Sequence, residues 1–184
     1  MHTEKVDAQD SIGASAILGG SLNEQVSVTG HYFVRCFDAN NTLKWEDTIE
    51  NTVVTVGKAN LLNVYLASST QTTLWYLGLV DSTPTPSYNV GDTMLSHAGW
   101  AESVAYANAN RPQAVFGTPT ATSSISSTAA SFTMNASITI AGAFLTTSNA
   151  KSGTAGTLYS AGNFAVARAV ISGDTLLVTY TATV

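Results

Sequence analysis

Five acidic or basic residues between positions 81 and 111 are the best candidates for chemistry in this chain: Asp81, Asp92, His97, Glu102 and Arg111. Two of the carboxylates could act as the acid and base of a glycosidase, or Asp92, His97 and Glu102 could ligate a metal ion. Neither set has the spacing of a known motif, because the chain contains no HExxH and no DxDxDG sequence. The structural alternative, which we favour, is that Asp92 caps the turn that follows it and Glu102 pairs with Arg111 across a strand. We therefore assign no catalytic residue, metal ion or cofactor.

Aromatic and sulfur-containing side chains offer a second set of candidates. Trp100, in the loop His97-Ala-Gly-Trp100, is the better candidate for an exposed contact to a sugar or to a protein. Trp75 lies in a strand-like apolar run, so we expect it in the core. Cys36 has no neighbouring His or Lys in the sequence, which favours a buried, inert thiol.

The overall composition excludes several classes of partner. Charged residues make up only 10% of the 184 residues, hydrophobic residues make up 45%, and the net charge is -5. Because the basic residues are few and scattered, neither nucleic acid nor an anionic membrane is an expected partner. The polar N-terminus lacks the apolar core of a signal peptide, so we expect synthesis and folding in a reducing cytoplasm.

The elements that must position these residues are mainly strands. No charged residue lies between Arg111 and Lys151, and inside that stretch a period-two pattern runs from 132 to 144. This pattern predicts one or two half-buried strands. Residues 74–80 form a continuous apolar run typical of a strand buried on both faces. In contrast, 57–68 has apolar pairs at i,i+4 (Leu61 with Tyr65, Leu62 with Leu66), which predict one helix packed on the β body.

Short strands separated by turn signals predict a mainly β fold, an antiparallel β-sandwich or jelly roll with one short α-helix. The sandwich domain is expected to span 26–184, with the helix near 57–68. Residues 1–25 contain few large apolar side chains, among them Ile12, Ile17 and Leu18. They predict either a frayed terminus or an extended N-terminal arm that orders on a partner.

Several motifs of the chain together resemble a family of small virion proteins of tailed bacteriophages. They are WYLGLVD at 75–81, GDTMLSHAGWAE at 91–102, NRP at 110–112, TMNASITIAGAFLTT at 133–147 and SGDTLLVTYT at 172–181. The resemblance covers roughly 57–184 and implies a capsid cement or decoration protein on the outside of the head shell. It implies the major capsid protein as partner and self-association as a homotrimer or dimer. It carries over no catalytic residue.

Under this hypothesis the contacts to other subunits come from the arm and from surfaces that are poor in charge. The interface candidates are Ile12, Ile17, Leu18, Trp100, Arg111 and Thr139. Charging the Ser/Thr face, as in Thr139→Lys, is expected to impair assembly more than folding. The alternative function is a tail- or fibre-associated β domain that binds glycan or host, which requires an exposed Trp100.

Overall fold

The computed structural model describes residues 27–119 and 123–184. Within these ranges the elements are β1 (Thr29–Phe37), β2 (Leu43–Val53), α1 (Thr55–Leu66), β3 (Trp75–Asp81), β4 (Glu102–Ser103), β5 (Gln113–Ala114), β6 (Ser124–Ser126), β7 (Ala130–Thr133), β8 (Ile138–Thr146), β9 (Leu158–Val170) and β10 (Thr175–Thr183). All strand pairs are antiparallel. The predicted mainly β sandwich with one helix is confirmed. The predicted arm, with Ile12, Ile17 and Leu18, lies outside the described residues.

The two layers of the sandwich are joined by β2. The strand order is β4-β3-β8-β9-β2-β1-β10-β6, with β5 also paired to β3 and β7 to β10. The first part of β2 pairs with β1, whereas Asn51–Val53 pairs with β9. Side chains from both halves, such as Tyr32 and Val178 from one and Leu77 and Leu145 from the other, meet in one buried cluster. The core therefore lies between the layers, as alternation of side chains along each strand requires.

The charge-free segment divides between the two layers. β7 pairs with β10, while β8 pairs with β3 and β9. Every residue from Ile140 to Thr146 is buried, so the prediction of a half-buried strand is wrong for most of β8. The reason is that the loop 82–101 covers the outer face of β8, where Phe144 packs against Trp100 and Met94 in a second apolar cluster. Strands covered on both faces lose the alternating pattern of burial.

The helix lies two residues earlier than predicted and packs differently. Gly57 permits close approach to β9, because a Cβ there would lie 2.4 Å from the Tyr159 carbonyl oxygen. The predicted i,i+4 pairs do not pack on the β body: Leu62, Tyr65 and Leu66 are all exposed. The helix is fixed mainly near its start, which leaves apolar side chains of its second half in solvent. Among the described residues, no helix is long and apolar enough to cross a membrane.

Candidate functional site

Glu102 and Arg111 form a buried ion pair. Arg111 Nε and Nη2 donate to Glu102 Oε1 and Oε2, both at 2.8 Å, and the Ser152 N–H donates to Oε2 at 2.7 Å. The pairing predicted from the sequence is confirmed, although Arg111 lies in the connection before β5 rather than in a strand. A planar guanidinium bound to a carboxylate through two donors is among the strongest polar contacts available to a protein.

Arg111 also holds the loop between β8 and β9. Its Nη1 donates to the Ser148 carbonyl at 2.9 Å and its Nη2 to the Gly153 carbonyl at 3.2 Å. The residue is 2% exposed, and its guanidinium lies over the Phe144 ring. The prediction that Arg111 contacts another subunit is therefore wrong, because its side chain is buried and makes its contacts within the chain.

Trp100 is likewise buried, at 3% exposed, so the prediction of an exposed contact is wrong. Its indole N–H donates to Asp92 Oδ2 at 3.1 Å, and the His97 ring stacks on it at 3.9 Å. The Asn89 N–H donates to the same Asp92 oxygen. Asp92 therefore fastens the preceding turn and Trp100, rather than capping the turn that follows. The ring of Trp100 packs in the second apolar cluster. The sequence of its Gly-containing loop gives no indication of this burial.

The five ionisable residues do not converge on one reaction centre. A cavity of about 280 Å³ is lined by His97, Glu102 and Arg111, but Asp92 is not among its lining residues. Asp81 instead accepts a hydrogen bond from the Thr83 N–H, which orders the turn after β3. Within 27–119 and 123–184, no group of three or more His, Cys, Asp and Glu could hold a metal ion. The geometry proposed for a metal site at Asp92, His97 and Glu102 is therefore not formed.

Sequence reasoning missed a buried acid at the turn between β9 and β10. Asp174 is 0% exposed, and its Oδ2 accepts hydrogen bonds from Lys44 Nζ at 2.6 Å and from the Ile171 N–H at 2.9 Å. Burial by itself raises the pKa of Asp174, but these hydrogen bonds outweigh it and hold the pKa below its usual value. Acids beside glycine in a turn are usually exposed, so the sequence carries no signal for this burial.

Cys36 lies beside this acid, with its Sγ 3.7 Å from Asp174 Oδ2. Burial, and then the charge of Asp174, raise the pKa of the thiol to about 12. The prediction of a buried thiol is confirmed. Such a thiol is inert near neutral pH because the thiolate is the reactive form.

A further feature that the sequence did not predict is an exposed apolar surface on α1. We call it the α1 surface; its residues are Leu61, Leu62, Tyr65 and Leu66, which are 39%, 55%, 85% and 71% exposed. They adjoin one another at i,i+1 and i,i+4 spacing. Thr139, the remaining interface candidate, lies near the start of β8 and is half-buried. Its role in assembly stays a prediction.

Comparisons of the chain with protein-family models, with curated proteins and with solved structures find no match.

Proposed function

We propose that this chain is a structural capsid decoration protein of a tailed bacteriophage. It would bind the major capsid protein on the outside of the head shell as a symmetric dimer or trimer. The proposal is supported by the resemblance of 57–184 to small phage virion proteins and by the surface chemistry of the described residues. On this proposal the protein acts by binding to the capsid, and its rigid β layers carry the contact surface.

The strongest structural support is the α1 surface. Contiguous exposed apolar side chains on soluble proteins mark sites of association, and tyrosine is enriched among the residues that dominate binding energy. Tyr65 is the most exposed of the four. Covering this surface with a capsid subunit would remove apolar area from water. Lys58, one turn before Leu61 and Leu62, is the sole charged residue of α1.

The charges of the described residues are largely used inside the chain. Lys44 pairs with Asp174, Arg111 with Glu102 and Arg168 with Asp47. Lys151 Nζ donates to the carbonyl oxygens of Tyr106 and Asn108, both at 2.8 Å. Binding through the remaining apolar and hydroxyl surface would depend only weakly on salt concentration, because few exposed charges would take part.

The alternative function, a glycan-binding tail domain, depends on a residue that is buried. It required Trp100 to stack on a sugar, whereas the indole is covered on its faces by His97, Tyr88 and Phe144. No other observation among the described residues favours this alternative.

The test is to count and locate the protein in particles of the phage that encodes it. Quantitative mass spectrometry should give many copies per head, and electron microscopy should place the density on the outer shell. A single set of copies at the tail would contradict the proposal. Light scattering of the purified chain should give the mass of a dimer or trimer.

Variants then test the α1 surface. Tyr65→Lys should lower binding to particles that lack the protein by about tenfold or more, as expected for a central interface aromatic. The matched control is Val166→Lys, which charges a side chain of β9 that is 69% exposed. Equal binding by the two variants, at unchanged thermal stability, would rule out the α1 surface as the contact.

A further inference from the structure

The outer face of the layer that holds β1 and β2 consists of four cross-strand rungs. Residues directly opposite each other on neighbouring strands point to the same face of a sheet. The rungs pair His31 with Glu50, Phe33 with Thr48, Arg35 with Glu46 and Phe37 with Leu43. All eight residues are exposed or half-buried, while the intervening Tyr32, Val34 and Cys36 are buried in the core. We call these eight residues the β1–β2 face.

The ionisable side chains of this face have no polar partner within the described ranges of the chain. Arg35 and Glu46 lie opposite each other, but no ion pair joins them. The Arg35 guanidinium instead lies 5.6 Å from the centre of the Phe37 ring. The side chains of His31 and Glu50 likewise bond to no described residue. The face thus presents bases along β1 and acids along β2, and both are available to another molecule.

This arrangement makes the β1–β2 face complementary to itself. Consider a two-fold axis in the plane of contact, parallel to the strands and midway between β1 and β2. It places β1 of one copy over β2 of a second copy, and each rung meets the same rung reversed. The contacts between copies are then Arg35 to Glu46, His31 to Glu50, Phe37 to Leu43 and Phe33 to Thr48. Two of them join a base to an acid, one joins two apolar side chains, and one joins an aromatic ring to a threonine methyl group.

We propose that the protein dimerises by packing its β1–β2 face on the β1–β2 face of a second copy. Sheets that pack face to face keep their strand directions within about 30° of each other, which the two-fold axis satisfies. The inference names the partner and the surface for the symmetric association in the proposed function, and it rests on that part of it. Its test needs no capsid, so dimerisation can fail while capsid binding holds.

The size of the face sets the strength of the contact. Two strands of nine residues, the length of β1, cover roughly 30 Å by 10 Å. The area buried by both copies is therefore below about 1,200 Å², the lower limit of stable complexes. We expect a weak dimer, with a dissociation constant on the order of 0.1 mM. On a closed shell, many such contacts would act together.

Charge reversal tests the contact between Arg35 and Glu46. In a symmetric dimer, Arg35→Glu and Glu46→Arg each turn both ion pairs into like-charge contacts. Each variant alone should dimerise at least about tenfold more weakly than the wild type in sedimentation equilibrium. In an equal mixture the two variants form a heterodimer with opposite charges at both contacts, so association should recover. An ion pair within one chain could not give this recovery, because mixing changes neither chain.

Two further variants serve as control and second test. Lys58→Glu changes the net charge as Arg35→Glu does, but its exposed side chain lies on α1, so dimerisation should match the wild type. Leu43→Asp alters a side chain that is 48% exposed and should weaken the dimer without disturbing the core. Thermal midpoints close to that of the wild type would show that each variant is folded.

Several results would overturn the proposal. One is a wild type that stays monomeric up to about ten times the expected dissociation constant. Another is dimerisation of Arg35→Glu or Leu43→Asp that is as strong as that of the wild type. A third is a mixture that associates no better than its separate components. Loss of the dimer in Lys58→Glu would place the contact on α1 and overturn it as well.

Discussion

Replacing Arg111 with methionine is expected to destabilise the protein by about 3–5 kcal/mol, the usual cost of removing one partner of a buried ion pair. The side chains of Arg111 and Glu102 are 0% and 7% exposed. The change leaves the Glu102 carboxylate with only the Ser152 N–H, and leaves the Ser148 and Gly153 carbonyls without their guanidinium donor. At about 2–4 °C per kcal/mol for a chain of this size, the thermal midpoint should fall by about 6–20 °C.

The assay is urea denaturation followed by circular dichroism, with the free energy of unfolding obtained by linear extrapolation. The matched control is Arg168→Met. That residue also bonds an aspartate, Asp47, but the two side chains are 38% and 22% exposed. Solvent screens such a pair, so its loss should cost about 0–1 kcal/mol.

The reasoning also predicts coupling between the partners. Adding Glu102→Leu to Arg111→Met removes the stranded carboxylate, so the double variant should recover part of the loss, by about 0.5–3 kcal/mol. The reasoning is refuted if Arg111→Met costs no more free energy of unfolding than Arg168→Met, or if adding Glu102→Leu brings no recovery. In either case the Arg111–Glu102 ion pair does not stabilise the fold as described.

Two further predictions concern Asp174 and Gly57. Because the pKa of Asp174 is lowered in the folded state, its contribution to stability is complete above about pH 5 and is lost as the pH falls through the folded pKa. In urea denaturation at a series of pH values, Asp174→Asn should weaken the fall in the free energy of unfolding at acidic pH. If that pH dependence is unchanged, Asp174 is not the group responsible. Gly57→Ala should cost about 1–3 kcal/mol, because its Cβ would meet the Tyr159 backbone, which outweighs the better helix propensity of alanine. Gly91→Ala, with no atom within 4 Å, should be nearly neutral; equal thermal midpoints for the two would exclude close packing of α1 on β9.

Local chemistry explains what the sequence could predict. The apolar run at 74–80 became the buried strand β3, and the Gly173-Asp174 turn leads into β10. The Glu102–Arg111 pair and the buried Cys36 were also predicted correctly. These features depend on side-chain alternation, turn residues or complementary charge, and each of these signals is contained in a short stretch of the sequence.

By itself, then, the sequence predicted the fold class, the presence of a helix near 57–68 and the pairing of Arg111 with Glu102. Only the tertiary structure decided that Trp100 is covered, that Asp174 is buried and that the α1 surface faces solvent. Each of these depends on which distant segment lies against the residue: the loop 82–101 over β8, Lys44 of β2 beside Asp174, and β9 against the start of α1. Burial is set by long-range packing, which residue type and periodicity constrain but do not specify.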